Sequence, residues 1–423
     1  MPSHQHDTVL VIGAGIIGLC VAHALRGAGY RVTILDDQPP GSQCSFGNAG
    51  ALSSGSVAPL AMPGILKTAG SMLLNPDSPL HIPFHYWLRA APWLSRFASS
   101  ARPQRVLQIA TALTELLSGS VAAHQTLAQA VGCRDVVHQT GQLHLYRDEQ
   151  ALAKDHASWN LKRSHGLRME DVDFDGIHAL EPSVGADYRR GVYLPDEGWL
   201  SSPDRYTRSI AAALRAMGVT FETARASKLE RAGTGWQVSD GAHRWEAAHV
   251  VISAGIGSRA LLAQVGPDVP LESQRGYHVQ APEPCVRLSR VVVLADKKIF
   301  MTPMEGGLRI AGTVEFARPN HPPSQRRALL LERQARAGLN GLSTSGFTTW
   351  MGHRPCLPDS LPVLGPVRGQ PGLWCAFGHG HLGMTGSANT AILISRSFTG
   401  TAHPDELASF APERFQHSGR RSV

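Results

Sequence analysis

The residues with the clearest chemical assignment stand near the start of the chain. Gly13-Ala14-Gly15-Ile16-Ile17-Gly18 is a glycine-rich turn, and Asp36 follows Gly13 by 23 positions with Asp37 beside it. A chain holds a dinucleotide with this pattern. Gly13 permits the tight turn, Gly15 lets the backbone approach a pyrophosphate, and Gly18 lets a helix pack closely on a strand. The helix that begins there offers unpaired N–H groups and its positive dipole end to the phosphates. Asp36 is placed to accept hydrogen bonds from a ribose diol and argues against a 2′-phosphate. FAD and NAD therefore fit, and NADP is disfavoured.

The elements around the turn support the assignment. Thr8-Val9-Leu10-Val11-Ile12 reads as a strand, a helical run follows to Leu25, and Arg31-Val32-Thr33-Ile34-Leu35 delivers Asp36. Next comes a small-residue loop through Gly55 that contains Ser45, Asn48, Ala49, Gly50 and Leu52, a composition that lets backbone pass close to a ligand. The apolar run His249–Ser253 ends at Ala254-Gly255, like a buried parallel strand opening toward a ligand crevice. Strand, glycine loop and helix recur at Leu373–Phe377, Gly378-His379-Gly380-His381-Leu382-Gly383, and Met384-Thr385 onward to about Phe398. Ser202 as N-cap and Pro203 at the first position predict a helix that ends at Gly218. Residues 104–131 and 323–338 read as helical, Gln142–Tyr146 alternates like a strand, and 276–316 is strand-rich.

These elements predict an α/β fold, a Rossmann-like dinucleotide domain interrupted by a mixed-sheet α+β substrate domain. The expected division gives 7–60, 200–274 and 345–412 to the first domain and 61–199 and 275–344 to the second, with tails at 1–6 and 413–423. The 423 residues suit two domains, and 43% hydrophobic with 17% charged residues describes a globular chain. The net charge of +7 comes without a long basic run, which argues against nucleic acid and suits anionic cofactors, carboxylate substrates or an anionic membrane surface. Six cysteines without CxxC spacing read as reduced thiols of a cytoplasmic protein. Beyond Val9–Leu25, which the glycine spacing explains, no run of membrane-spanning length is expected. The aromatic, basic stretch 85–97 has two readings, a helix packed on its own domain or a peripheral membrane contact. His379 and His381, without carboxylate neighbours, make a poor metal set, so no metal is expected. His4 and His6 read as part of a tail.

With three later motifs, the fingerprint resembles the D-amino-acid oxidase superfamily of flavoproteins, and most of all its bacterial D-amino-acid dehydrogenase branch. Gly47-Asn48-Ala49-Gly50-Ala51-Leu52-Ser53-Ser54-Gly55 is similar to that branch's flavin loop. Gly352-His353-Arg354-Pro355, followed by Pro358-Asp359 and Pro362-Val363-Leu364-Gly365, resembles the family's GxRP run, and Gly378–Gly383 its C-terminal flavin turn. Arg275-Gly276-Tyr277 resembles the strand lining its substrate pocket, with arginine where lysine is usual. The chain also departs from the pattern at Leu357, His278 and His353, which leaves the side-chain preference open.

The resemblance implies FAD, with its pyrophosphate at the fingerprint, Arg354 as the substrate-carboxylate anchor and Tyr277 assisting it; His353, next to Arg354 in the chain, is a further catalytic candidate. Cys356 does not match the offset expected of a linking cysteine, so the FAD is expected to be non-covalent. The implied reaction is oxidative deamination of a D-amino or D-imino acid. Hydride passes from Cα to flavin N5, and the imine hydrolyses to a 2-oxo acid. Electrons would go on to a quinone or another carrier. Rival readings are a D-proline, hydroxy-D-proline, sarcosine or glycine enzyme, an NAD-linked dehydrogenase, and a non-catalytic flavin-bound subunit.

Overall fold

A computed structural model describes residues 7–65, 77–318 and 320–416. Its first sheet has six strands in the order Thr220–Thr223, Arg31–Asp36, Thr8–Ile12, His249–Ile252, Leu373–Phe377 and Val363–Pro366. The first four pairings are parallel and the last is antiparallel. Alternation along the central strand explains why both faces are covered. Val9 and Val11 face helices Ile16–Gly27, Pro203–Ala216 and Gly383–Phe398, while Leu10 and Ile12 face a three-stranded layer through Trp236 and Val238. Each such buried aliphatic side chain contributes roughly 1.5–3 kcal/mol.

The second sheet has nine strands and is mixed. Its path runs Thr348–Cys356, Glu272–Ala281, Gly307–Phe316, Ile299–Met304, Val291–Leu294, Gln142–Tyr146, Arg190–Leu194 and Glu170–Val172, with Leu80–His81 beside Gly307–Phe316. Helix Gln325–Gly338 covers one face, where Tyr277, Val279, Ile310 and Leu331 share a core. The other face carries Gly276, His278, Trp350 and Arg354 and looks toward the glycine turns.

The structure differs from expectation in two places. Thr348–Cys356 lies in the nine-stranded sheet, although 345–412 was assigned to the dinucleotide domain, because it pairs residue by residue with Glu272–Ala281. A second apolar run, Pro103–Ala130, is long and apolar enough to cross a membrane by composition. It is nevertheless two helices, Pro103–Leu117 and Ser120–Ala130, broken where Gly119 turns left-handed at φ 67°. Asn389 of the terminal helix donates to the carbonyls of Leu116 and Ser118 at that break, so the pair is a core element of this fold. The helix predicted from Ser202 spans Pro203–Ala216, with Ser202 Oγ accepting the Arg205 N–H at 3.3 Å and Gly218 at φ 81° after its end. His4 and His6 lie outside the described residues.

Candidate active site

The fingerprint builds an open-sided turn. Gly13 has φ 112°, and a Cβ there would meet the Ser253 carbonyl; a Cβ on Gly18 would run into the Gly13 carbonyl. On Gly15, by contrast, it would find only Ser45 Oγ at 3.6 Å, so that glycine leaves room where a pyrophosphate comes closest. Helix Ile16–Gly27 has no side-chain cap; Ser45 Oγ accepts the Ile16 N–H at 2.9 Å, and Ile17 continues the first turn. Asp36 accepts the N–H of Ala14 at 2.6 Å and of Gln38 at 2.9 Å, which ties the acid to the turn. Burial raises its pKa and these two hydrogen bonds oppose the rise. Asp37 sits further out, 3.9 Å from Arg225. The cradle therefore fits FAD through backbone approach, a helix start whose N-cap, Gly15, has no side chain to fill the space, and an acid at the end of the second strand.

The small-residue loop and the C-terminal glycine turn meet beside it. Thr385 Oγ1 accepts the Ser53 N–H at 3.2 Å and donates to the Ala51 carbonyl at 3.4 Å. Asn48 folds its own loop, accepting the Gly50 N–H at 2.8 Å, and Ala49 lies between them partly open to solvent. Gly50, at φ 78°, has no room for a Cβ against Met304 and the Leu200 carbonyl. Leu52 pairs with Gly198, and Ala254-Gly255 opens the strand end alongside. Gly380, His381 and Leu382 form a short helical turn into helix Gly383–Phe398, whose Met384 and Thr385 carbonyls are bound by His124 at 2.8 and 3.1 Å. The two histidines of the turn part company: His379 is buried against Thr390 at 2.9 Å, whereas His381 presents its ring to solvent-accessible space.

Arg354 occupies the sheet face opposite these turns. Its guanidinium lies across Gly276, where any Cβ would collide with it, so the glycine is what allows the arginine to lie flat. Nη1 donates to the Thr313 carbonyl at 2.9 Å. Thr313 sits at a register shift between the strands at Arg275 and Tyr277 and has φ 58°, an uncommon conformation for a β-branched residue. The bulge turns a carbonyl toward the arginine, and the Thr313 hydroxyl is left buried without a hydrogen-bond partner. Burial lowers the Arg354 pKa although the side chain keeps partial access to water, the combination expected of a group lining a cavity.

The other predicted catalytic residues are not brought to Arg354. Tyr277 lies on the opposite sheet face, donating to Glu315 at 2.5 Å and accepting the Ser324 N–H at 3.0 Å. His353 also turns away, its Nδ1 2.8 Å from Ser273 Oγ. Strand geometry is the reason, because successive side chains point to opposite faces and Arg354 shares its face with residues two apart. The same period reveals what motif reading missed. His278 Nδ1 meets the Gly47 carbonyl at 3.0 Å, and its ring stacks on Trp350 at 5.2 Å. Trp350 fills the space that a Cβ on Gly47 or Gly352 would need. Arg309 donates to the carbonyls of Phe46 and Asn48 at 3.0 and 2.7 Å. These three side chains clamp the loop to the nine-stranded sheet.

A dinucleotide turn facing a second sheet that carries a partly buried arginine is the arrangement of a nucleotide-dependent enzyme. Residues 8–397 match the family model described as FAD dependent oxidoreductase, and the chain belongs to this family, of which D-amino-acid oxidase is a member. It is 34% identical over 425 residues to a D-amino-acid oxidase of Bradyrhizobium diazoefficiens, covering 98% of this chain and 100% of that protein. It is 32% identical to a D-amino acid dehydrogenase of Dechloromonas aromatica, covering 93% and 97%. The solved glycine oxidase of Geobacillus kaustophilus shares the fold, with a TM-score of 0.76 at 20% identity over 98% of this chain and 100% of that one.

Proposed function

We infer that this FAD-dependent oxidoreductase carries out the oxidative deamination of D-amino acids. The observation that carries the reading is the enclosed Arg354 laid flat over Gly276, opposite the flavin loop, in a chain whose curated relatives are named for D-amino-acid oxidation. A guanidinium in this setting grips a planar carboxylate in paired hydrogen bonds and fixes the Cα–H bond in direction. When bound, FAD supplies a two-electron oxidation, taking the Cα hydrogen as hydride and leaving an imine that water hydrolyses to a 2-oxo acid and ammonia. The protein's share is to hold the turns, the loop and Arg354 in register. The clamp of His278, Trp350 and Arg309 does this from the sheet side. Arg354 is the substrate anchor in this reading, and Tyr277 and His353 support the sheet from behind.

The test is anaerobic mixing of the purified protein with D- and L-amino acids and cyclic imino acids, following flavin absorption near ~450 nm, the band that belongs to the oxidised cofactor. Bleaching by D-amino acids is the expected outcome; bleaching by L-forms alone, or by none, overturns the reading.

Three finer proposals accompany it. The FAD is held non-covalently: burial pushes the Cys356 thiol up to about 12, so it is protonated and a weak nucleophile. Yellow colour remaining in an acid-precipitated pellet would disprove this. Electrons leave to a quinone or another carrier, in keeping with relatives named as dehydrogenases. The helix Trp87–Ser100 and the turn before it form a peripheral membrane contact: Phe84 and Leu88 are 93% and 92% exposed beside Arg89, while Trp93 is buried. Replacing Phe84 and Leu88 with serine should abolish pelleting with anionic vesicles.

A further inference from the structure

Strand register shows what stands beside Arg354 on its own sheet face. The Thr313 carbonyl that accepts from Arg354 belongs to strand Gly307–Phe316. Two residues earlier on that strand, Ala311 pairs with His278 on one side and with Phe300 on the other. Residues directly opposite one another share a face, and His278 shows which face this is by meeting the Gly47 carbonyl at 3.0 Å. Ala311 and Phe300 therefore lie on the face of Gly276 and Arg354. Phe300 is also diagonally across from Thr313, a relation that sets Cβ atoms about 7–8 Å apart in a regular ladder.

The floor between the guanidinium and Phe300 is small and uncharged. Gly276 has no side chain and is covered by the guanidinium at one end, and Ala311 offers only a methyl. Phe300 stands at the other end, half-buried. Its support comes from the side away from Arg354. The ring packs with Val291, Val293 and Trp199, and it meets His144 edge-on at 6.4 Å. The strands that carry Val291, Val293 and His144 lie beyond that of Phe300 as counted from Arg354. Ala51 of the flavin loop packs on the same cluster, so the ring stands beside the loop. The charged neighbour on this face, Arg309, is engaged with the carbonyls of Phe46 and Asn48 and with Gln280. A side chain leaving the Arg354 end therefore crosses a methyl and meets a phenyl ring. Such a surface favours apolar groups and leaves a polar one without partners.

We propose that Phe300 is the specificity-determining wall of the side-chain subsite, selecting D-amino acids with apolar side chains of about leucine to phenylalanine size. The proposal rests on the D-amino-acid reading and deepens it. Arg354 takes the α-carboxylate, and the side chain runs over Ala311 to the Phe300 ring.

The experiment follows anaerobic flavin reduction by D-alanine, D-leucine, D-phenylalanine, D-asparagine and D-glutamate in the wild type, Phe300→Ala and Phe300→Leu. D-Asparagine nearly matches D-leucine in shape and differs in polarity. The wild type should favour D-leucine and D-phenylalanine over the other three by about tenfold or more in kcat/KM. Phe300→Ala should lower the D-leucine to D-alanine ratio of kcat/KM about tenfold, mostly through KM, because a methyl stops short of the ring. Phe300→Leu should recover much of that ratio. Calorimetric binding of isocaproate and propanoate to the oxidised holoenzyme gives a readout independent of turnover, with isocaproate weakened the more by Phe300→Ala. Wild-type preference for D-alanine, D-asparagine or D-glutamate, or an equal loss for all substrates in Phe300→Ala, overturns the subsite while D-amino-acid oxidation stands. If Phe300→Ala does not fold, wild-type discrimination between D-leucine and D-asparagine decides. Failure of every D-amino acid to reduce the flavin overturns the underlying reading instead.

Discussion

The two faces of strand Glu272–Ala281 are built from the same short stretch and do opposite work. On one face Gly276 is bare so that Arg354 can lie across it, and His278 stacks under Trp350 and holds Gly47. On the other, Arg275 is fully buried 3.5 Å from Glu315 and donates to the carbonyls of Arg318, His321 and Pro322, while Tyr277 shares the same glutamate. The first face leaves an arginine reachable by a ligand. The second satisfies its arginine with protein atoms and so leaves it nothing to offer a substrate. A guanidinium is available for recognition when its partners are few, and among the described residues Arg354 has one hydrogen-bond acceptor where Arg275 has several.

Four substitutions break or sharpen this contrast. Arg275→Met strands Glu315 in the core and should cost about 3–5 kcal/mol, read as a fall in Tm. Any protein that folds should keep its KM. Arg354→Ala should do the reverse, raising KM roughly 100-fold through loss of a charge-assisted pair, with flavin content and Tm nearly intact; an unchanged KM would remove Arg354 from the site. Gly276→Ala drives a methyl into the guanidinium without touching any charge. It should raise KM roughly 10- to 100-fold, because small misplacements of a positioning group are expensive. Tyr277→Phe leaves one Glu315 oxygen and the Ser324 N–H short of a partner, for about 1–2 kcal/mol of stability. A selective rise in KM there would return Tyr277 to the site.

Much of the nucleotide half was legible because its constraints are local. Gly18 is demanded by the Gly13 carbonyl within one strand–turn–helix unit, Gly13 has a φ of 112° of its own, and Asp36 reaches the turn by way of the adjacent strand. The helix from Ser202 to Gly218 carried its own start and stop. The sheet half was harder. Motif proximity suggested that Tyr277 and His353 act beside Arg354, but a strand sends neighbours to opposite faces and only their pairing partners show which face is inward. Placing 345–412 wholly with the nucleotide domain failed at Thr348–Cys356 for the same reason, since strand pairing is not written in the strand's own composition.

The sequence by itself determined the dinucleotide turn and the family resemblance and singled out Arg354, because each rests on residue types at short, fixed spacing. Only the tertiary structure decided that Gly276 makes room for that arginine and that Thr313 turns a carbonyl toward it. Those facts depend on which side chains distant segments bring together, and burial and pairing exist only once the chain has folded.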